Sequence, residues 1–261
     1  MNRFLKVAIA AAKESGGLQL ASLGRPHEIR FKGEINLVTE VDKRCEKAIM
    51  KRLRKATPTA DFLTEESGEI LSKRGSSGLR WIIDPLDGTT NYAHNYPLFC
   101  TSIALAVRGR VEVGVVYDPN HDELFYAVRG RGAFRNGKRI RASRIVRLKR
   151  ALLATGFAYD VQRSMNNNLN HFKNFIMTAQ AVRRDGVAAI DLCYVACGRY
   201  DGFWEIGLWP WDVAAGALIL EEAGGKSTLF NGAPLNIYRN QIVASNGKIH
   251  RQMVRVIRHD R

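Results

Sequence analysis

The stretch from Asp84 to Tyr92, DPLDGTTNY, constrains the fold more than any other. An apolar run, Leu79 to Ile83, leads into it and reads as a buried strand. Pro85 fixes φ and has no N–H, so the strand is expected to stop at Asp84. Gly88 then allows a tight turn. That turn leaves the N–H groups of Gly88, Thr89 and Thr90 free to face one side. A short helix starting there would offer an anion site at its N-terminus. Two carboxylates beside such a site would repel a phosphate unless cations lay between them. Mg²⁺ suits that place, because it takes carboxylate oxygens and keeps water and substrate phosphate in its shell. The same residues also suit an Asp-rich turn held by side-chain hydrogen bonds.

Around this stretch the hydrophobic period changes twice. Residues 2–15 and 41–54 read as amphipathic helices, the second with Val41, Cys45, Ala48, Ile49 and Leu53 on one face. Strands are predicted at 80–84, 99–107, 111–117, 124–128 and 133–134. The short RGR link after 107 and the Asn136-Gly137 pair mark hairpins. Beyond 150 the pattern alternates: strand 150–157, helices 166–179 and 188–197, strand 202–206, helix 212–223 ended by Gly224 and Gly225, and a strand at IVASN. We expect an α+β half over residues 1–145 joined to an α/β half over residues 146–261, in one compact unit.

The charge of +15 concentrates in residues 129–150, which hold ten Lys/Arg and no acid, and in a tail with five more. Such a field attracts anions, whether phosphorylated metabolites, nucleic acid or acidic proteins, and it also suits a solvated face. Aromatic residues are sparse among these arginines, which argues against a base-stacking platform. Cys45, Cys100, Cys193 and Cys197 do not form a disulfide or zinc pattern and are expected to be reduced and mostly buried. The apolar run Val7–Ala12 is too short for a signal peptide, and no stretch approaches the ~18 apolar residues of a spanning helix. A cytoplasmic protein with no membrane partner is expected.

Further acids bear on the central motif. FLTEES, 62–67, is an apolar strand running into Glu65 and Glu66. PWDVAAG, 210–216, places Asp212 at a helix start, where it can be a cap or an ionised ligand. LVTEVD, 37–42, fits a capping box with Thr39 and Asp42. Together, DPLDGTTNY, the upstream EES and the late WDVAAGALILEEAGG strongly resemble the inositol monophosphatase family. This is the Mg²⁺-dependent, lithium-sensitive group that also contains fructose-1,6-bisphosphatases and nucleotide 3'-phosphatases. The resemblance runs from about Lys32 to Gly225.

The resemblance implies a layered αβαβα sandwich, usually dimeric, and two or three Mg²⁺ ions per site. It makes Glu65, Asp84, Asp87, Asp212 and the Leu86 carbonyl the metal ligands. Thr89 would orient the attacking water with Asp42 behind it, and Glu65 would share in catalysis through a third, weaker ion. The N–H groups of Gly88 and Thr89 would bind phosphate oxygens. Asp87, Ala188 and Glu205 would face the alcohol part of the substrate, and Lys32 matches a lysine near the metals. Val187 replaces a residue that is often small or hydroxylated in relatives. Arg183 and Arg184 lie just before this loop position and could be surface charges or could approach a second phosphate on a bisphosphorylated substrate. The expected activity is hydrolysis of a small phosphate monoester, myo-inositol 1-phosphate first. Fructose 1,6-bisphosphate, adenosine 3',5'-bisphosphate and histidinol phosphate follow. A homodimer is expected. The rival of another class is an RNA- or protein-binding role through the basic 129–150 segment.

Overall fold

The computed structural model describes residues 3–24, 29–31, 37–73, 75, 77–165 and 167–258. Lys32 lies outside the described residues, as does the side chain of Thr39. In the first part the elements run α1 (Arg3–Ser22), β1 (Ile29–Phe31), β2 (Leu37–Thr39), α2 (Glu40–Ala56), β3 (Asp61–Thr64), β4 (Gly68–Ile70) and β5 (Leu79–Asp87). Next come α3 (Thr89–Ala93), β6 (Cys100–Val107), β7 (Arg110–Asp118), β8 (Glu123–Val128), β9 (Ala133–Arg135) and β10 (Lys138–Arg139). The remainder is β11 (Leu152–Thr155), α4 (Leu169–Ile176), β12 (Ala181–Arg183), α5 (Ala188–Ala196), β13 (Gly202–Ile206), α6 (Pro210–Glu222), β14 (Lys226–Thr228), β15 (Gln241–Ser245) and α7 (His250–Arg258).

Two sheets carry the molecule. The first has eight strands in the order β10-β9-β8-β7-β6-β5-β3-β4, and the second has five in the order β12-β11-β13-β15-β14. The first is antiparallel except where β3 runs parallel to β5. Its hairpins turn where the sequence signals them: Arg108 and Gly109 take φ of 50° and 82°, and Asn136 and Gly137 take 48° and 79°.

The layers follow from which face of each element is apolar. α1 and α2 bury Leu5, Ala8, Ala12, Ile49 and Leu53 against Trp81, Ile83, Ile103 and Val115 on one face of the first sheet. The other face, with Ile82, Ala104, Val116 and Phe125, packs on α5 and α6, which are apolar nearly all round. Phe203, Ile242 and Ala244 of the second sheet close that middle layer. Outside it, Trp204 and Val243 pack on Phe175 of α4 and on Met253 and Ile257 of α7. The result is an αβαβα sandwich. At Gly114 on β7 the Cα faces the α6 backbone so closely that a Cβ would stand 2.8 Å from the Ala215 carbonyl oxygen. All four cysteines are free; three are buried and Cys197 is half-buried.

Candidate active site

The strand β5 does not stop at Pro85. It runs on to Asp87, with a shift of register against β6: Asp84 faces Ser102 and Asp87 faces Cys100. One extra residue on β5 is thereby accommodated as a bulge, and the missing N–H of Pro85 falls inside it. In a regular strand, residues three apart point to opposite faces. The extra residue cancels that, so Asp84 and Asp87 line the same cavity. The bulge is held from behind by α1 and β6. The Pro85 carbonyl accepts hydrogen bonds from Gln19 Nε2 at 2.8 Å, Thr101 Oγ1 at 3.2 Å and Ser15 Oγ at 3.3 Å. These three buried polar residues give no sign of their role in the sequence.

Glu65 reaches the cavity because β3 ends beside β5; its N–H donates to the Ile83 carbonyl at 3.2 Å. Asp212 comes from the other side, in the first turn of α6. It is not the cap of that helix: its Oδ2 accepts the Trp209 N–H at 2.7 Å from within the first turn. The turn is tied to the first sheet by Ser102 Oγ, which donates to the Trp211 carbonyl at 2.9 Å. Asp87 Oδ2 accepts the Ala189 N–H at 2.8 Å, at the start of α5.

Crowding of acids dominates the electrostatics. Burial, then the charges of Glu65, Asp87 and Asp212, push Asp84 well above the usual carboxylate range. Asp212 is pushed up likewise, by burial and then by Asp87. Burial raises Asp87 to about 7 against the pull of N–H groups at Ala189, Ala188 and Gly88. Glu205 rises to about 8, through burial and then Asp87, with Arg184 opposing. What favours ionisation of Asp84 and Asp212 among the described residues is one backbone N–H each, from Leu86 and from Trp209. Among the described residues no three His, Cys, Asp or Glu side chains close into a compact ligand cluster. The acids instead line the wall of one cavity together with Leu86, which lies between Asp84 and Asp87 in the chain. A set of hard oxygen donors with so little positive charge around it fits a divalent cation such as Mg²⁺.

Next to the acids, Thr89 opens α3. Its Oγ1 stands 3.1 Å from Asp42 Oδ1 and 3.1 Å from the Leu86 carbonyl oxygen, all buried. Gly88 precedes it in the left-handed region at φ 93°, which only glycine adopts without strain. A Cβ at Gly88 would also meet Val187 Cγ2 at 2.8 Å, so Val187 roofs the turn.

The cavity holds about 330 Å³. It brings together Glu65, Asp84, Leu86, Asp87, Gly88, Thr89, Ala188, Glu205 and Asp212, from both sheets and the layer between them. Arg183 is not among its lining residues: it ends the edge strand β12 with its side chain exposed. Its neighbour Arg184 lines the cavity in its place. Leaving the strand at that point turns one of the two arginines inward. The sequence reading missed the aromatic wall of Phe157, Tyr159, Trp209 and Trp211. Tyr159 shares a hydrogen bond with Thr90, and burial followed by nearby acids pushes its hydroxyl up to about 12. Trp209 and Trp211 stack with centroids 5.4 Å apart and planes 10° apart. Their position around the PWD motif was the available signal.

Comparison with known proteins places this geometry. The model of the inositol monophosphatase family matches residues 1–260. An inositol-1-monophosphatase of Synechocystis sp. is 42% identical, over 97% of this chain and 88% of that protein. The Nus factor SuhB of Pseudomonas aeruginosa is 43% identical, over 98% of this chain and 96% of that protein. The solved inositol monophosphatase of Anabaena (Nostoc) sp. superposes with a TM-score of 0.90 at 44% identity, covering 99% of this chain and 96% of that one. The chain therefore belongs to the inositol monophosphatase family, a metal-dependent group, and is a phosphomonoesterase of that superfamily.

Proposed function

We propose that the protein is a Mg²⁺-dependent phosphatase whose first substrate is myo-inositol 1-phosphate. One observation carries the reading: acids from both sheets and the helix layer line a single cavity, and a threonine–aspartate pair opens onto it. Glu65, Asp84, Asp87, Asp212 and the Leu86 carbonyl would hold two or three Mg²⁺ ions. When bound, those ions offset the acids' charge, acidify water and stabilise the oxygens of an in-line displacement.

This chain's own residues do the rest. Asp42 accepts a hydrogen bond from the Thr89 hydroxyl, which leaves the Thr89 oxygen lone pairs to fix a water against phosphorus. The water oxygen forms the new P–O bond, and the ester P–O bond breaks on the opposite side. The water gives up one proton as it bonds to phosphorus and the departing alkoxide takes one up, so the alcohol leaves with no net change in protons. The first N–H groups of α3, at Thr89 and Thr90, have no partner within the helix and can bind phosphate oxygens. Glu205, Ala188 and Arg184 face the alcohol part. A site built on such polar partners can reject an ester that leaves them unpaired by roughly 10⁴- to 10⁵-fold.

Arg184 favours a second substrate class, a bisphosphate such as fructose 1,6-bisphosphate, since its guanidinium can meet a second phosphate. The Nus factor name of the Pseudomonas relative and the exposed basic segment favour an additional docking role. A homodimer belongs to the same reading. The exposed Leu169, Ile176 and Met177 of the α4 region offer apolar surface for one. A cytoplasmic setting belongs to it as well; no helix among the described residues is long and apolar enough to cross a membrane.

The deciding experiment is phosphate release from inositol 1-phosphate, fructose 1,6-bisphosphate, adenosine 3',5'-bisphosphate and histidinol phosphate, with Mg²⁺ added or chelated. Turnover that needs Mg²⁺ and favours inositol 1-phosphate supports the first reading. Release from none of the four would remove it.

A further inference from the structure

The basic segment of the sequence is divided by the fold. Two arginines of its first part are drawn into ion pairs: Arg129 with Glu221 and Glu112, and Arg135 with Glu123. Its second part, residues 141–150, forms an irregular strap between the two sheets that ends in a short 3₁₀ turn at Leu148–Arg150. This strap is fastened to the end of β15 and to α7. Asn246 Nδ2 donates to the Ile145 carbonyl at 2.8 Å, Gln252 Nε2 donates to the Val146 carbonyl at 2.9 Å, and the Leu148 N–H donates to Gln252 Oε1 at 3.0 Å.

Gln252 is the point where two basic stretches meet. Arg255 lies three residues after it on the same side of α7, Arg251 adjoins it, and Lys248 lies in the bend just before the helix. Arg144, Arg147, Lys149 and Arg150 on the strap, and Lys248, Arg251 and Arg255, are all exposed. None of the seven makes an ion pair with a described residue. The acid in contact with the strap is Asp201, which is buried and accepts bonds from Ser143 Oγ and the Leu152 N–H. Like charges gathered this way repel unless an outside anion completes them.

The face lies away from the catalytic cavity. The strap enters the N-terminal end of β11, whereas Phe157 and Ala158 of the cavity follow its C-terminal end. Substrate in the cavity therefore does not account for it. Val146 is the one large apolar side chain exposed between Arg141 and Arg150, so the apolar centre of a protein interface is missing. The helix of this face, α7, is packed down along its length by buried Met253 and Ile257, so it offers a flank to a ligand. An extended strap beside the flank of a packed helix can follow a flexible row of phosphates, and five of the seven cations are arginines, whose fork fits phosphate.

We propose that the face formed by the 141–150 strap and α7 docks single-stranded RNA through its phosphate backbone, independently of sequence and of the phosphatase site. The test is fluorescence anisotropy of the full-length chain with an unstructured RNA oligonucleotide at a series of salt concentrations. Poly-glutamate, duplex DNA and anionic phosphatidylserine vesicles serve as rival ligands. RNA binding should weaken with salt at a slope of about −0.7 per phosphate contact, so roughly −3 if four or five cations engage. Arg144→Glu/Arg147→Glu/Arg255→Glu should lower affinity at least tenfold, and the matching Gln variant should lower it less. Phosphate release by both variants should stay at the level of the unaltered protein, which also reports that they fold. A Lys47→Glu/Lys51→Glu variant on α2 should bind RNA normally. If the triple variants do not fold, the salt slope and the competition on the unaltered protein decide. Absence of RNA binding at about 50 mM salt, equal binding by the charge-reversed variant, or tighter binding of poly-glutamate, duplex DNA or vesicles overturns the proposal. Absence of phosphate release by the unaltered protein would count against the active-site reading and leave this one standing, whereas its loss in a folded variant would overturn the independence of the two sites.

Discussion

The smallest unit of the proposed chemistry is one hydroxyl and one carboxylate, Thr89 and Asp42, brought to 3.1 Å from positions 47 residues apart. If Thr89 orients the attacking water, Thr89→Ala should lower kcat at least a hundredfold with little change in KM or in melting temperature, while Thr89→Ser keeps most of the rate. A wild-type kcat in Thr89→Ala would remove the pair from the mechanism. Arg184 tests the alcohol side. Arg184→Ala should reduce kcat/KM for fructose 1,6-bisphosphate about tenfold more than for inositol 1-phosphate, because a guanidinium fork is lost where a second phosphate would sit. Equal losses on both esters would mean that Arg184 serves Glu205 and not a second phosphate. The metal-type acids, Thr89 and Asp42 were all legible as residues, because their motifs are short and local. Arg183 and Arg184 were not distinguishable, since adjacent arginines differ only in which way the backbone leaves the edge strand.

At the level of elements, close approach and buried ionisation do the specifying. Gly114 lets β7 lie against the α6 backbone, so Gly114→Ala forces the two layers apart. A loss of about 1–3 kcal/mol is expected, read as a lower urea midpoint. His250, at the start of α7, is clamped between Thr228 Oγ1 and Ser245 Oγ, each at 2.9 Å, and burial lowers its pKa from 6.5 to about 4. A lowered histidine pKa means that the unfolded chain takes up a proton which the folded chain refuses. Stability is then full above about 6.5 and is lost as pH falls toward 4, by on the order of 3 kcal/mol. His250→Gln should therefore lose less stability between pH 7 and pH 4.5 than the unaltered protein, measured by denaturant midpoints. Parallel curves for the two would show that His250 does not titrate in this range. The helices other than α7, and the central strands, were readable from periodicity; the tail reads only as a basic run, and α7 is missed. The short pairs β1–β2, β14 with β15, and β12 on the edge were not, because three residues carry too little pattern.

For the whole molecule, the site is a joint. Glu65, Asp84 and Asp87 come from the eight-stranded sheet, and Asp212 comes from the helix layer beneath it. A cation shared among them would tie two layers together; on that reading Mg²⁺ should raise the melting temperature of chelator-stripped protein, and Asp212→Asn should blunt the rise. The gain should be larger at pH 8 than at pH 5.5, since these carboxyls are pushed upward and must ionise to bind. A pH-independent shift would place Mg²⁺ elsewhere.

What the sequence determined by itself was the order of most helices and the central strands, the family motifs and the chemical kind of the site: period, turn residues and short acid spacings are local properties. Tertiary structure alone decided how those parts face one another. β5 does not end at Pro85, because hydrogen bonds from Ser15, Gln19 and Thr101 hold the bulge that turns Asp84 and Asp87 the same way. The basic run is not one patch, because acids from β7, β8 and α6 take part of it and Gln252 fastens the rest beside α7. Both outcomes depend on partners distant in sequence, whose charges and hydrogen bonds act only once the chain has brought them within a few ångströms.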